Sequence, residues 1–219
     1  KDHWLPPDNF QDDPSPMVAT RTSPTNIGMY LLAVITAHDF GWIGTIEMVR
    51  RLEATLATVG TLEMFHGHLY NWYDTRTLQR LDPEYVSTVD SGNLAGHLLT
   101  LRQGLLELAD APLLRPSVWI GLRRTLAILR EALDKREPPV LAGFERELDA
   151  ALAAPPTDLA TCIRYLQTAS GYAAEIGHEV ASLQDEAAFW IAALQRQCDV
   201  LLSEARSWEA SNSHLRSTS

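Results

Sequence analysis

The sequence has little cysteine, no surplus of basic charge and no long hydrophobic run. Of its 219 residues two are cysteines, Cys162 and Cys198, in no CxxC or CxxH spacing. That excludes a disulfide framework and a structural zinc site, and it fits a reducing compartment. Both cysteines fall on apolar helical stripes and read as small buried hydrophobes. Eighteen Lys and Arg residues face 28 Asp and Glu, for a formal net charge of −10 and a pI near 5.1. Such a chain repels phosphate backbones, which excludes nucleic acid as a partner, and it offers nothing to an anionic membrane surface. No apolar run reaches the roughly 18 to 20 residues that a membrane helix needs. The longest candidate, Ile27 to Trp42, is interrupted by Thr36, His38 and Asp39. Direct membrane insertion by this segment is therefore not expected. No signal peptide is visible. The start at Lys1-Asp2-His3-Trp4 runs straight into motif-like sequence, which suggests a piece of a longer polypeptide.

What is present is a hydrophobic content of 46%, enough for one sizeable core or a domain with an appendage. Composition shifts near residue 110. Most of the Asn, Tyr and Phe lie before it, and Ala, Leu, Arg and Glu dominate after it. This predicts residues 1–110 as a helical region with specific loops, and 111–219 as a helical hairpin or bundle with a frayed tail, "SNSHLRSTS". Prolines stiffen the opening stretch "WLPPDNFQDDPSPMVATRTSP" into a packed loop. Ser23-Pro24 reads as an N-cap and first helical position, with Phe40-Gly41 at the far end of that helix. Helical spacing predicts further helices at about Thr45–Phe65, from an Asp90 or Ser91 cap through Leu108, and over Val118–Leu133, Val140–Leu152, Leu159–Tyr172 and Val180–Trp208. The last carries a near-3.5-residue seam of Val180, Leu183, Ala187, Trp190, Leu194, Cys198, Leu201 and Ala205, which suggests long antiparallel helices or a small bundle. The fold class is all-α.

The stretch "HLYNWYDTRTLQRLDPEYVSTVDSGNLAGHL" is neither uniform core nor ordinary loop. A sugar presents an apolar C–H face and a hydroxyl rim, matched by Trp and Tyr rings and by Asn, Asp, Ser and Arg. In extended backbone Tyr70, Trp72 and Asp74 share one side, and Asn71 and Tyr73 the other. One side could line a cleft while the other packs. The alternative reading places all three aromatics in a core, with Asn71 and Asp74 bonding backbone. The stiff loops raise the same pair of readings for Asp8, Asn9, Gln11, Arg21, Thr22, Ser23 and Asn26: polar contacts preorganised for a ligand, or caps and turns. Ser23 reads as a cap. His66 and His68 form an H-x-H, but with no third ligand in view they read as polar histidines, and no metal site or cofactor is expected. Asp74 and Asp90 are the acids of the aromatic stretch, and either could serve glycosidic chemistry.

"WLPPDNFQ", "RTSPTNIG", "DFGWIG", "RLEATLATV" and "GHLYNWYDTRTLQRLDPEYVSTVDSGNLAGHL" resemble a segment of the cyclic β-1,2-glucan synthase family, at the front of its middle, glucoamylase-like module. The match runs from Trp4 to about Leu108, close to half the chain. The resemblance implies part of an (α/α)6 toroid whose loops form a sugar cleft. It implies a parent glycosyltransferase of the bacterial inner membrane, with this segment on the cytoplasmic face. In that family the middle module closes linear β-1,2-glucan into rings by retaining transglycosylation, which needs a glutamate nucleophile and a glutamate acid/base. The family motif G-I-S-E-S is absent here. Ser203-Glu204-Ala205-Arg206 spells the other, S-E-A-R, but lies in the periodic helix without the family's tyrosine- and glycine-rich lead-in, so it is read as a decoy and no catalytic residue is expected. His66 stands where the family has arginine. The implied partners are β-1,2-glucan, linear or cyclic, and the remaining modules of the parent. The expected glucan-binding residues are Trp4, Asp8, Asn9, Gln11, Arg21, Thr22, Ser23, Asn26, Tyr70, Asn71, Trp72, Asp74, Asp90, Ser91 and Asn93. The competing functions are a non-catalytic helical scaffold within a large polypeptide, and a glucoamylase-like hydrolase of another linkage.

Overall fold

The structure, a computed structural model, describes residues 2–134, 137–180 and 186–217. Among them are seven α-helices and three two-stranded antiparallel ribbons. The chain divides into two compact units, Lys1–Thr36 with Met48–Ala111, and Ala37–Glu47 with Pro112–Ser219.

The first unit contains all three ribbons. β1 (Phe10–Gln11) pairs with β2 (Met17–Val18), β3 (Arg21–Thr22) with β6 (Tyr73–Asp74), and β4 (Met64–Phe65) with β5 (His68–Leu69). Helix α1 (Pro24–Asp39) begins where Ser23 Oγ accepts from the Asn26 N–H at 3.2 Å, satisfying one of the free donors of its first turn. Helix α2 (Thr45–Val59) ends six residues before the expected Phe65. Met64 and Phe65 instead enter the β4–β5 hairpin, whose two-residue turn is His66-Gly67. Both turn residues have positive φ, 49° and 82°, the geometry that tight hairpins require. Helix α3 (Thr88–Ala109) is capped by Ser87, whose Oγ accepts from the Asp90 N–H, not by Asp90 or Ser91. Two glycines let α1 and α3 approach closely. A Cβ on Gly28 would lie 2.4 Å from His97 Nδ1, and one on Gly104 would lie 2.7 Å from Ile35 Cδ1. Ile27, Leu31, Val34, Leu52, Leu69, Tyr73 and Leu101 are among the buried side chains of this unit.

The second unit is built on α4 (Ser117–Leu133), α5 (Val140–Ala153), α6 (Leu159–Glu179) and α7 (Glu186–Ser217). Each of the four packs on two others, in the cyclic order α4, α5, α6, α7. Arg123 reaches Asp149 while Arg130 reaches Glu145 and Glu137, so α4 and α5 run antiparallel. Gln195 bonds the Ala173 carbonyl and Asp199 accepts from Ser170, which sets α6 and α7 antiparallel as well. The core is leucine-rich: Leu122, Leu126, Leu129, Leu133 and Leu194 are fully buried with Phe144. Cys162 and Cys198 are free and buried in it, and burial pushes their thiols up to about 11 and about 12. That leaves them protonated and inert, as small hydrophobes. Val180 terminates α6 instead of opening α7, and Leu183 of the expected seam lies outside the described residues. Backbone helix continues to Ser217, through most of the stretch expected to fray.

The expectation that ties the chain to the bacterial inner membrane is corrected here. Among the described residues no helix is long and apolar enough to cross a membrane.

Candidate functional site

The β3–β6 ribbon sets Arg21 opposite Asp74 and Thr22 opposite Tyr73. From Leu69 to Thr75 exposure alternates with period two. Leu69, Asn71, Tyr73 and Thr75 are buried, and Tyr70, Trp72 and Asp74 are half-buried. Tyr73 is core, with no exposed surface. Its hydroxyl donates to the Glu63 carbonyl at 2.6 Å and accepts from the Tyr70 N–H at 2.8 Å, and burial raises its pKa.

Asn71 is the hub of a polar network. Its backbone N–H donates to the Tyr85 carbonyl at 2.9 Å. In the amide orientation that satisfies its neighbours, its side-chain oxygen accepts from Trp72 Nε1 at 2.5 Å and from the Tyr85 hydroxyl at 2.7 Å, and its nitrogen donates to Asp90 Oδ2 at 3.0 Å. The other oxygen of Asp90 accepts from the Thr25 hydroxyl at 2.6 Å, and Asn93 donates to that hydroxyl at 3.1 Å. Burial opposes ionisation of Asp90, but hydrogen bonds from Ser87 and Thr25 outweigh it and hold its carboxyl below the usual aspartate value. Asp90 is thus a fixed anionic acceptor with no proton to donate at neutral pH.

A second node centres on Asp8. Its Oδ2 accepts from Arg21 Nε at 3.1 Å and Nη2 at 2.9 Å, and from Asn9 at 3.1 Å, while Oδ1 accepts from Asn26 at 3.1 Å. Arg21 then lies over Trp72, 4.5 Å from the ring centroid. Thus Asp8, Asn9, Arg21, Asn26, Trp72, Asn71, Asp90 and Asn93 form one connected array. The charged pair faces solvent on its Arg21 side, so its value is positional more than stabilising. Thr25, Tyr85 and Ser87 complete the array and were not among the residues singled out in the sequence. The spacing S-T-V-D, with an acid three residues after Ser87, was the signal for the cap. Thr25 and Tyr85 carry no comparable local signal.

The other expected residues lie elsewhere in this unit or serve its backbone. Trp4 has φ of 64°, its carbonyl accepts from the Thr55 hydroxyl, and Arg50 covers its ring at 5.0 Å. Gln11 reaches the Ser15 carbonyl at 3.5 Å within the β1–β2 hairpin. Thr22 is fully buried, and Ser23 caps α1. Arg80 sits 5.3 Å from the Tyr70 ring centroid. Asp74 folds its own turn. The Arg76 guanidinium, bonded to its Oδ2, and the N–H groups of Thr77 and Arg76, bonded to its Oδ1, lower its pKa to about 2. The Ser91 hydroxyl is buried.

In the second unit, the S-E-A-R stretch lies on α7. Glu204 is 4% exposed, and its Oε1 accepts from the Thr45 N–H at 2.7 Å, at the start of α2. Burial raises its pKa against the pull of that bond. His38, lowered by burial and by Arg115, accepts at Nδ1 from Arg115 at 2.9 Å and meets the Thr45 hydroxyl with Nε2 at 3.1 Å. Glu204 therefore acts as a buried helix cap. His66 and His68 are exposed hairpin residues, and among the described residues no group of three or more His, Cys, Asp or Glu could hold a metal ion.

Among the described residues, seven helices and a wall of half-exposed aromatics pinned by amides and carboxylates define an all-α chain with a polar–aromatic face. No family model matches the chain. Over a 223-residue alignment it is 40% identical to the cyclic β-(1,2)-glucan synthase NdvB of Rhizobium meliloti (strain 1021). The alignment covers 92% of this chain and 8% of that protein, so the chain is homologous to a short segment of a much longer relative. The likeness reaches well past Leu108, into the helices of the second unit.

Proposed function

We propose that this chain is part of a module that acts on β-1,2-glucan, and that the Asn71-centred array is a wall of its glucan cleft. The observation that carries the reading is the array itself, found in a chain 40% identical to a cyclic β-(1,2)-glucan synthase. Trp72 and Tyr70 offer ring faces to the C–H side of glucose, while Arg21, Asn9 and Asn93 offer donors and acceptors to its hydroxyls and Asp90 braces the array. The parent reaction is retaining transglycosylation that closes linear β-1,2-glucan into rings. Its catalytic glutamates come from elsewhere in the parent polypeptide, since Asp8 and Asp90 are spent on neighbours and Glu204 is buried in the helical second unit, with one oxygen at a helix start. Further helices of the parent would complete an α/α toroid, and this segment works as a non-spanning module of it.

The test is tryptophan fluorescence of the wild type and of Trp72→Ala, titrated with linear β-1,2-glucan and with β-1,3- and β-1,4-glucans. Saturable binding of the β-1,2-linked chain alone, lost in the variant, is expected. Equal binding of all three linkages would point to a hydrolase-like site of broader scope. Binding untouched by the substitution would move the site away from Trp72.

A second reading has its own observation. Tyr73 and Asn71 are buried, as expected if the stretch were there to brace a scaffold. Under that reading a well-folded sample binds none of the three glucans.

A further inference from the structure

Two rings, not one, end on the Asn71 amide oxygen. Trp72 donates to it through Nε1 at 2.5 Å and Tyr85 through its hydroxyl at 2.7 Å. A single oxygen therefore fixes the polar edges of both rings, and Asp90 holds the other end of the amide at 3.0 Å. Asn71 is 5% exposed, so this pin is protected from solvent. The rings it holds are not. Trp72 is half-buried and Tyr85 is 47% exposed.

The pinning has a chemical consequence. An indole N–H and a phenol O–H are the polar handles by which Trp and Tyr take solvent or ligand hydrogen bonds. Both donors are consumed here by the same acceptor, which leaves the rings their faces and the Tyr85 oxygen an acceptor to offer. One face of Trp72 is already covered by the Arg21 guanidinium, 4.5 Å from the ring centroid. That leaves Trp72 at most one face for a ligand. A solvent-exposed tyrosine ring held beside it by a backbone and a side-chain hydrogen bond to Asn71 is hard to account for as core, since nearly half of it is in water.

We propose that Tyr85 is a further ring contact for the glucan, beyond Trp72 and Tyr70, and that Asn71 is the positioning residue that sets Trp72 and Tyr85 as one platform. This rests on the glucan-cleft reading above and adds a specificity element to it. A pair of fixed rings selects chains whose successive apolar faces match their spacing, where a single ring would stack on any sugar. Asn71 itself need touch no sugar. Its contribution is to remove the rotational freedom of both rings before the ligand arrives.

The experiment compares calorimetric affinity for linear β-1,2-glucan among the wild type, Trp72→Ala, Tyr85→Leu and Tyr85→Phe. Near-UV circular dichroism confirms folding of each. Leu keeps apolar bulk at a site that is half in water, so loss of the fold is not expected; Phe keeps the ring and removes only its tether. Tyr85→Leu should weaken binding by about tenfold, the scale of a lost aromatic contact. Tyr85→Phe should weaken it by a smaller factor. The Trp72 indole N–H resonance should keep its hydrogen-bonded position in Tyr85→Leu and lose it in Asn71→Ala. If Trp72→Ala abolishes binding while Tyr85→Leu binds as the wild type does, the two-ring platform is wrong and the cleft reading stands. If the wild type binds no β-1,2-glucan, both fall together.

Discussion

The two units bury their polar groups in opposite ways. The second unit has a nearly all-apolar centre in which Leu122, Leu126, Leu129 and Phe144 have no exposed surface, and its few buried polar groups serve helix ends and helix pairing. The first unit invests in a connected set of amides, hydroxyls and carboxylates that braces half-exposed rings. A leucine-filled bundle gains stability from area removed from water and needs little directional precision. A hydrogen-bonded array gains little net stability per bond but fixes geometry, since each unmade bond leaves a buried group stranded. The comparison therefore separates a region held by apolar burial from one whose geometry is fixed by hydrogen bonds, as the proposed glucan cleft requires.

The sharpest way to break the comparison is to empty the bundle core. Phe144→Ala should cost roughly 3–5 kcal/mol of unfolding free energy in a denaturant titration. Glucan affinity measured on the folded fraction should stay unchanged. A smaller cost is expected for Asn71→Ala, roughly 2–3 kcal/mol, from the stranded donors of Trp72 and Tyr85 and the lost bond to Asp90. Here affinity should collapse with it, which is the opposite pairing of effects.

Ser87→Ala should lower stability by about 1 kcal/mol through loss of the α3 cap, read as a shift in the denaturation midpoint. The smallest effect concerns Asp74. Its folded pKa near 2 lies below that of an unfolded aspartate, so its contribution is present above about pH 4 and is lost as pH falls toward 2. Acid titration of stability should show that loss in the wild type and not in Asp74→Ala. Separately, α3 leaves Val89, Leu99 and Leu106 exposed. Sedimentation velocity should show concentration-dependent self-association; a sharp monomer at all concentrations would show that this face needs no cover.

The helices were legible because apolar spacing and proline punctuation repeat a local rule. The existence of each predicted helix and the antiparallel pairing in the second half follow from that rule. Where boundaries moved, a competing local signal had won. The apolar pattern of α2 runs on into Met64 and Phe65, but the positive-φ turn at His66-Gly67 folds those residues back as a strand. Val180 fits the α7 seam by period, yet it closes α6. In the site, the alternation of Tyr70, Trp72 and Asp74 against Asn71 and Tyr73 was readable as a period of two. The partners that make it an array were not. Thr25 meets Asp90 across 65 positions and Arg21 meets Asp8 across 13, and no local pattern encodes such contacts.

The most direct measurement of this division of labour is hydrogen–deuterium exchange of the chain with and without linear β-1,2-glucan. Protection is expected in peptides covering residues 8–26 and 70–93, with none in the helices between 117 and 210. Protection absent from both regions, or equal in the helical bundle, would contradict the assignment of recognition to the Asn71-centred array.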